Sequence, residues 1–148
     1  MKCDRHIWDT DDIEWCWRCE ELTSNEYKKN LKKTMKILVT GGAGFIGSHI
    51  ADALVARGDE VVAIDNFATG RRENVAHLKG NAKFTLIEHD ITLPWPVHQA
   101  LTAKFDAVLD YASPASPNDF ATMPLEILAV GSTGTRNLLD RAKADGAV

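Results

Sequence analysis

The first 34 residues contain no glycine and no proline, and no cysteine follows Cys19. All ten glycines and all five prolines lie after residue 34, whereas the three cysteines and three of the four tryptophans lie before it. Such unevenness marks two segments of different character. No apolar run approaches the ~18 residues that a membrane-spanning helix needs. The opening Met1-Lys2-Cys3-Asp4-Arg5-His6 lacks the apolar core of a secretory signal. A formal net charge of −4 gives no electrostatic case for nucleic acid or an anionic membrane as partner. The expectation is a cytoplasmic protein with reduced thiols. With 148 residues, 45% of them hydrophobic, the chain is long enough for one domain with a buried core.

Residues 1–34 show no clean period of two or 3.6 and end in the basic run Lys28-Lys29-Asn30-Leu31-Lys32-Lys33. A second start, Met35-Lys36, then leads directly into an apolar strand. The segment reads as an appendage to the domain, upstream sequence read in frame. Cys16-Trp17-Arg18-Cys19, with Cys3 and His6, offers the donor types of a structural zinc site. A lone Cys-x-x-Cys is common and Cys-x-x-His is an unusual opening pair, so no metal is expected.

From Met35 the pattern is regular. Lys36 to Thr40 reads as a strand buried on both faces, and Gly41 to Gly47 as a glycine loop. A helix should follow, with Ile46, Ile50, Ala53 and Leu54 inward and Gly58 as its left-handed cap. Glu60 to Asp65, Lys83 to Glu88 and Phe105 to Tyr111 read as further strands. Leu93-Pro94-Trp95-Pro96 must be loop, with at most a short helix from Val97 to Lys104. A long helix is expected over Pro124 to Asp145, with Leu128, Leu138, Leu139 and Ala142 inward. Strands alternating with helices in this order imply an α/β fold of Rossmann type, a doubly wound parallel sheet over residues 35–148.

Gly42-x-Gly44-x-x-Gly47 sits between strand and helix, where a dinucleotide fingerprint has its mechanism. Glycines permit the turn and the approach of a pyrophosphate, and the helix N-terminus offers unpaired N–H groups and partial positive charge. Asp65 ends the second strand, eighteen positions after Gly47. A carboxylate there accepts hydrogen bonds from the adenosine ribose and repels a 2′-phosphate, which favours NAD. Arg71 and Arg72 keep NADP as the alternative, although solvated loop arginine is the simpler reading.

These residues resemble the extended short-chain dehydrogenase/reductases that act on nucleotide sugars. Thr40-Gly41-Gly42-Ala43-Gly44-Phe45-Ile46-Gly47 is similar to that family's glycine motif. Asp65-Asn66-Phe67-Ala68-Thr69-Gly70, followed by Asn74, resembles its second-strand segment, and His89-Asp90-Ile91-Thr92 the element whose Asp-Ile lies against adenine. Ala112-Ser113-Pro114-Ala115-Ser116-Pro117 looks most like the UDP-glucuronate decarboxylase and dTDP-glucose 4,6-dehydratase-like members. The resemblance covers residues 35–147. It implies NAD as cofactor, a nucleotide-sugar substrate and a homodimer. It also implies cofactor contacts from Gly41, Gly42, Gly44, Phe45, Ile46, Gly47, Asp65, Asn66, Phe67, Thr69, Gly70, Asp90, Ile91, Ala112 and Ser113.

Two positions depart from the pattern. Asp110 stands where the decarboxylase-like members usually carry histidine, and Gly131 where many carry asparagine in Asn-x-x-Gly-Thr. Asp110 could face the cofactor cleft or point away from it. Gly131 and Gly134 imply close packing of their helix, or its distortion.

Family catalysis uses a Tyr-x-x-x-Lys pair, the lysine lowering the tyrosine's pKa. Here Tyr27 and Tyr111 are followed four positions later by Leu31 and Ala115. No catalytic residue is therefore assigned, and the chain is expected to be the N-terminal part of a longer enzyme, cut after the fourth strand and its helix. Asp106-Ala107-Val108-Leu109 would then form an open sheet edge. Three readings stand: a UDP-glucuronate decarboxylase parent, a dehydratase or 4-epimerase parent, and a dinucleotide-binding module without turnover.

Overall fold

In a computed structural model of the chain, the described residues are 34–148. The zinc candidate Cys3, His6, Cys16 and Cys19, Tyr27 and the rest of the expected appendage before Thr34 lie outside them. Four strands, β1 (Lys36–Thr40), β2 (Glu60–Asp65), β3 (Phe84–Glu88) and β4 (Ala107–Asp110), form one parallel sheet in the order β3-β2-β1-β4. The chain builds outward from β1 to β3, then crosses to the other side of β1 for β4. β1 and β2 are buried on both faces because alternate residues feed two cores. Ile37, Val39 and Val61 pack with Ala51 and Leu78 on one face; Leu38, Val62 and Ile64 pack with Phe105 and Leu138 on the other. The expected parallel α/β sheet is the one observed.

The first helix, α1, spans Phe45–Arg57 and ends at Gly58, whose φ of 103° is the left-handed cap expected from the sequence. Its inward face agrees with expectation in part: Leu54 packs against the core and Ile50 is half-buried, whereas Ile46 is 59% exposed and Ala53 is exposed. The fully buried residues of α1 are Gly47, Ser48 and Ala51. The cause is steric: α1 starts so close to the turn after β1 that only small side chains fit its first turns, where an apolar stripe marks nothing.

Two short helices and a longer one follow β4: α2 (Pro117–Thr122), α3 (Pro124–Ala129) and α4 (Thr135–Asp145). The helical span from Pro124 to Asp145 is as expected, but Val130–Gly134 is a wide π-type turn inside it. The inserted residue rotates α4 out of phase with α3. Leu138 is 3% exposed, whereas Leu128 and Leu139 are 66% and 64% exposed and Ala142 is half-buried. Adjacent residues lie about 100° apart around a helix, and here the core takes Leu138 and leaves Leu139 outside. Between β3 and β4, only Gln99–Leu101 is helical, as a single tight turn.

The outer side of β4 is not wholly open. Val148 N–H donates to the Asp106 carbonyl at 3.1 Å, and Val108 N–H donates to the Val148 carbonyl at 3.0 Å. That is the hydrogen-bond pattern of a parallel neighbour, so the expected edge at Asp106–Leu109 is in part paired.

The two glycines of the wide turn serve different ends. A Cβ on Gly134 would lie 2.7 Å from Ile91 Cδ1, whereas one on Gly131 would meet nothing within 4 Å. Close packing thus accounts for Gly134 and not for Gly131. Gly131→Ala is expected to stabilise the domain by about 0.5–1 kcal/mol through backbone entropy. Gly134→Ala should lower stability by about 1 kcal/mol or more through overpacking. Thermal unfolding of the two variants tests this, and a common sign for both would overturn it.

Candidate functional site

In an open parallel sheet, ligands bind at the carboxyl ends of the strands where the strand order reverses, here between β1 and β4. A cleft of about 710 Å³ lies at that point. Its floor is the loop from Gly41 to Gly47. Gly41 has φ of 64°, and a side chain there would strike the Tyr111 backbone. A side chain on Gly47 would strike the Gly41 carbonyl oxygen. Gly47 therefore holds the helix against the loop and does not clear a path for a ligand. Gly44 is different: its Cβ would meet only the Gly41 carbonyl oxygen, at 3.1 Å, and Gly44 lines the cleft. Gly44 also caps α1 without a side chain, so no side-chain group covers the helix's first N–H donors. The loop and helix start thus form a cradle suited to a pyrophosphate.

Asp65, 8% exposed, closes one end of the cradle. Its carboxylate accepts from Ala43 N–H at 2.9 Å and from Phe67 N–H at 2.8 Å. Gly70 lies directly against it, since a Cβ there would come within 2.7 Å of Asp65 Oδ1. The Ala43 carbonyl in turn accepts from Arg71 N–H at 3.0 Å and from Asn74 Nδ2 at 2.8 Å. Arg72 stacks over the Phe67 ring, 3.9 Å from its centre, and pairs with Glu88.

Asp90 forms the next part of the wall. Burial raises its carboxyl, but hydrogen bonds from Thr92 Oγ1, Thr92 N–H and the Asn66 amide, with His89 beside it, outweigh burial and hold its pKa below the ordinary carboxylate value. His89 also lines the cleft, and its Nε2 is buried without a hydrogen-bond partner. Ala112 and Ser113 supply the β4 side of the cleft. Asp110 does not line it: its carboxylate accepts from Thr40 Oγ1 at 2.6 Å and from Ala112 N–H at 3.2 Å. The departure at this position is a clamp on the turn after β4.

The cleft brings together Gly41, Gly44, Phe45, Ile46 and Gly47 of the loop and helix start. It adds Asp65, Asn66, Thr69, Gly70, Asp90, Ile91, Ala112 and Ser113. Gly42 and Phe67 lie outside its lining. Gly42 sits on Ala63, where a Cβ would be 2.7 Å from the alanine side chain, and Phe67 lies under Arg72. Sequence reasoning missed the far wall, which includes Thr122, Met123, Glu126 and Val130 from α2, α3 and the wide turn. A signal was there to find. Ser116 and Asp119 form a reciprocal capping box, with Pro117 at the first helical position.

The NAD dependent epimerase/dehydratase family matches residues 37–148. Among curated relatives, UDP-glucuronic acid decarboxylase 1 of Arabidopsis thaliana is 45% identical over 116 residues, covering 78% of this chain and 25% of that protein. Similar solved structures include a UDP-galactose 4-epimerase at 37% identity and a TM-score of 0.63, covering 76% of this chain and 36% of that one. Another is the UDP-glucose 4-epimerase of Thermus thermophilus in complex with NAD, at 34% identity and a TM-score of 0.59, covering 76% of this chain and 35% of the other. The chain spans about a quarter of the length of the curated relative. With the matched region running from β1 through β4 and on to Val148, the chain belongs to the NAD dependent epimerase/dehydratase family.

Proposed function

We propose that this chain is the NAD-binding portion of a nucleotide-sugar-modifying enzyme of the UDP-glucuronate decarboxylase type. The observation that carries the reading is Asp65, a buried carboxylate tied to Ala43 N–H beside the uncapped start of α1. Gly41, Gly44 and the first N–H groups of α1 cradle the pyrophosphate. Asp65 accepts from the ribose hydroxyls, while Asp90 and Ile91 face the adenine. NAD, when bound, supplies a hydride acceptor and returns the hydride later. The chain's own residues bind and orient it, with Ala112 and Ser113 lining the side toward β4. In the parent enzyme, oxidation at the sugar C4 would precede loss of carbon dioxide and reduction.

The 45% identity to a decarboxylase, together with Ser113-Pro114-Ala115-Ser116-Pro117, favours this parent over a dehydratase or epimerase. The exposed Phe120, Leu125, Leu128 and Leu139 support a homodimeric parent. Among the described residues no helix is long and apolar enough to cross a membrane, and a cytoplasmic location belongs to the same proposal.

Calorimetric titration should give NADH at least about tenfold tighter binding than NADPH, since a phosphate dianion beside a buried carboxylate loses on the order of 1.4 kcal/mol or more. Equal or reversed affinity would sink the Asp65 assignment. Gly44→Val should remove NADH binding while circular dichroism stays that of the parent chain, because its side chain enters the cleft. Gly47→Val should instead lose the folded signal itself. Gly44→Val binding NADH normally would show that the cradle does not hold the pyrophosphate.

The chain contains no Tyr-x-x-x-Lys. With NAD added, the 148-residue chain is expected to leave UDP-glucuronate unconverted. Chromatographic detection of UDP-xylose made by the purified chain would refute this.

A further inference from the structure

We infer that Glu88 is a cofactor-selectivity residue, which holds Arg72 away from a 2′-phosphate and so keeps the site an NAD site. The inference rests on the NAD-binding reading above and adds a second acid to it. Asp65 and Glu88 are register partners at the carboxyl ends of β2 and β3, so the two acids lie side by side at the end of the sheet. Arg72 bridges them. Its guanidinium pairs with Glu88 and stacks 3.9 Å from the centre of the Phe67 ring, and Phe67 N–H donates to Asp65 at 2.8 Å. Phe67 thus contacts both groups, the carboxylate assigned to the ribose through its backbone N–H and this guanidinium through its ring.

A guanidinium in that place is the ordinary partner of a phosphate, because its planar fork matches two phosphate oxygens. NADP differs from NAD only by a phosphate on the ribose hydroxyl that Asp65 would meet. Left alone, Arg72 would offset the repulsion from Asp65. Paired with Glu88, it brings no net charge to that phosphate.

Phe67 has a φ of 57°, the left-handed region, which a bulky non-glycine residue rarely adopts. The surroundings hold it there through the Asp65 bond on one side and the stacked guanidinium on the other. The arrangement thus fixes where Arg72 lies, and Glu88 decides what that charge is paired with. Arg72 and Glu88 are 57% and 61% exposed, and a surface ion pair of this kind contributes little to stability. Replacing Glu88 should accordingly leave the fold intact.

The test titrates NADH and NADPH, by their fluorescence, into the 148-residue chain, its Glu88→Gln variant and the Glu88→Gln/Arg72→Ala double variant. In Glu88→Gln, NADPH affinity should rise about tenfold, the effect of one partly exposed charge-assisted contact. The gain should shrink as salt is raised. In the double variant it should vanish. An unchanged NADPH affinity in Glu88→Gln, or a gain that survives loss of Arg72, overturns the inference while leaving NADH binding in place. Failure of the unsubstituted chain to bind NADH overturns the NAD reading itself, and the inference with it.

Discussion

The contact between Gly47 and the Gly41 carbonyl is the constraint from which the rest of the site follows. With no side chain between them, α1 begins directly over the end of β1, and its first N–H groups face the cleft rather than a neighbouring strand. The same closeness limits the buried face of α1 to Gly47, Ser48 and Ala51. It also brings Ala43 within hydrogen-bond reach of β2. A methyl group at position 47 would push the helix start away and disturb all three arrangements together.

Ala43 is where the glycine loop, Asp65 and the loop after β2 join. Its N–H donates to Asp65, and its carbonyl accepts from Arg71 N–H and the Asn74 amide. One residue thus connects the glycine loop with the acid at the end of β2 and with the loop that leaves β2. Buried polar groups keep their place when every partner is supplied, and Asp65 has its partners in the protein before any ligand arrives. Asp90, held by Thr92 and Asn66, extends the network to the end of β3.

What could be read from the sequence divides along a physical line. The glycine loop was legible because backbone clearance leaves glycine as the only choice at Gly41 and Gly47. The strands were legible because burial on both faces leaves continuous apolar runs such as Ile37 to Val39. Gly58 was legible because only a few residues accept its φ. The first turns of α1 were not, because close packing there selects small residues that no hydrophobic pattern marks, although Leu54 further along packs inward as the pattern says. The phase of α4 was hidden by the turn at Val130–Gly134, since a period of 3.6 cannot register one inserted residue. Helix α2 is only six residues long and gives no helical period, although its capping box of Ser116 with Asp119 is written in the sequence.

The two walls of the cleft are built by different means. On the β2 and β3 side, Asp65, Asn66 and Asp90 are joined by hydrogen bonds to each other's loops and to Ala43, so their positions are fixed by many short constraints. On the β4 side, Asp110 clamps only the first residues of the turn, through Thr40 and Ala112. Beyond them the wall depends on α2 and α3, which bury no residue fully and leave Phe120, Leu125 and Leu128 exposed. Local stability follows buried contact, so the second wall opens at lower cost than the first. Under the proposed reading, a dinucleotide would gain most of its fixed contacts from the glycine loop and the Asp65 side. A reacting sugar needs placement within a fraction of an ångström of the nicotinamide, and the less anchored wall alone cannot supply that. Under the proposed reading, binding and chemistry therefore make separate demands on the fold, and residues 34–148 meet the first.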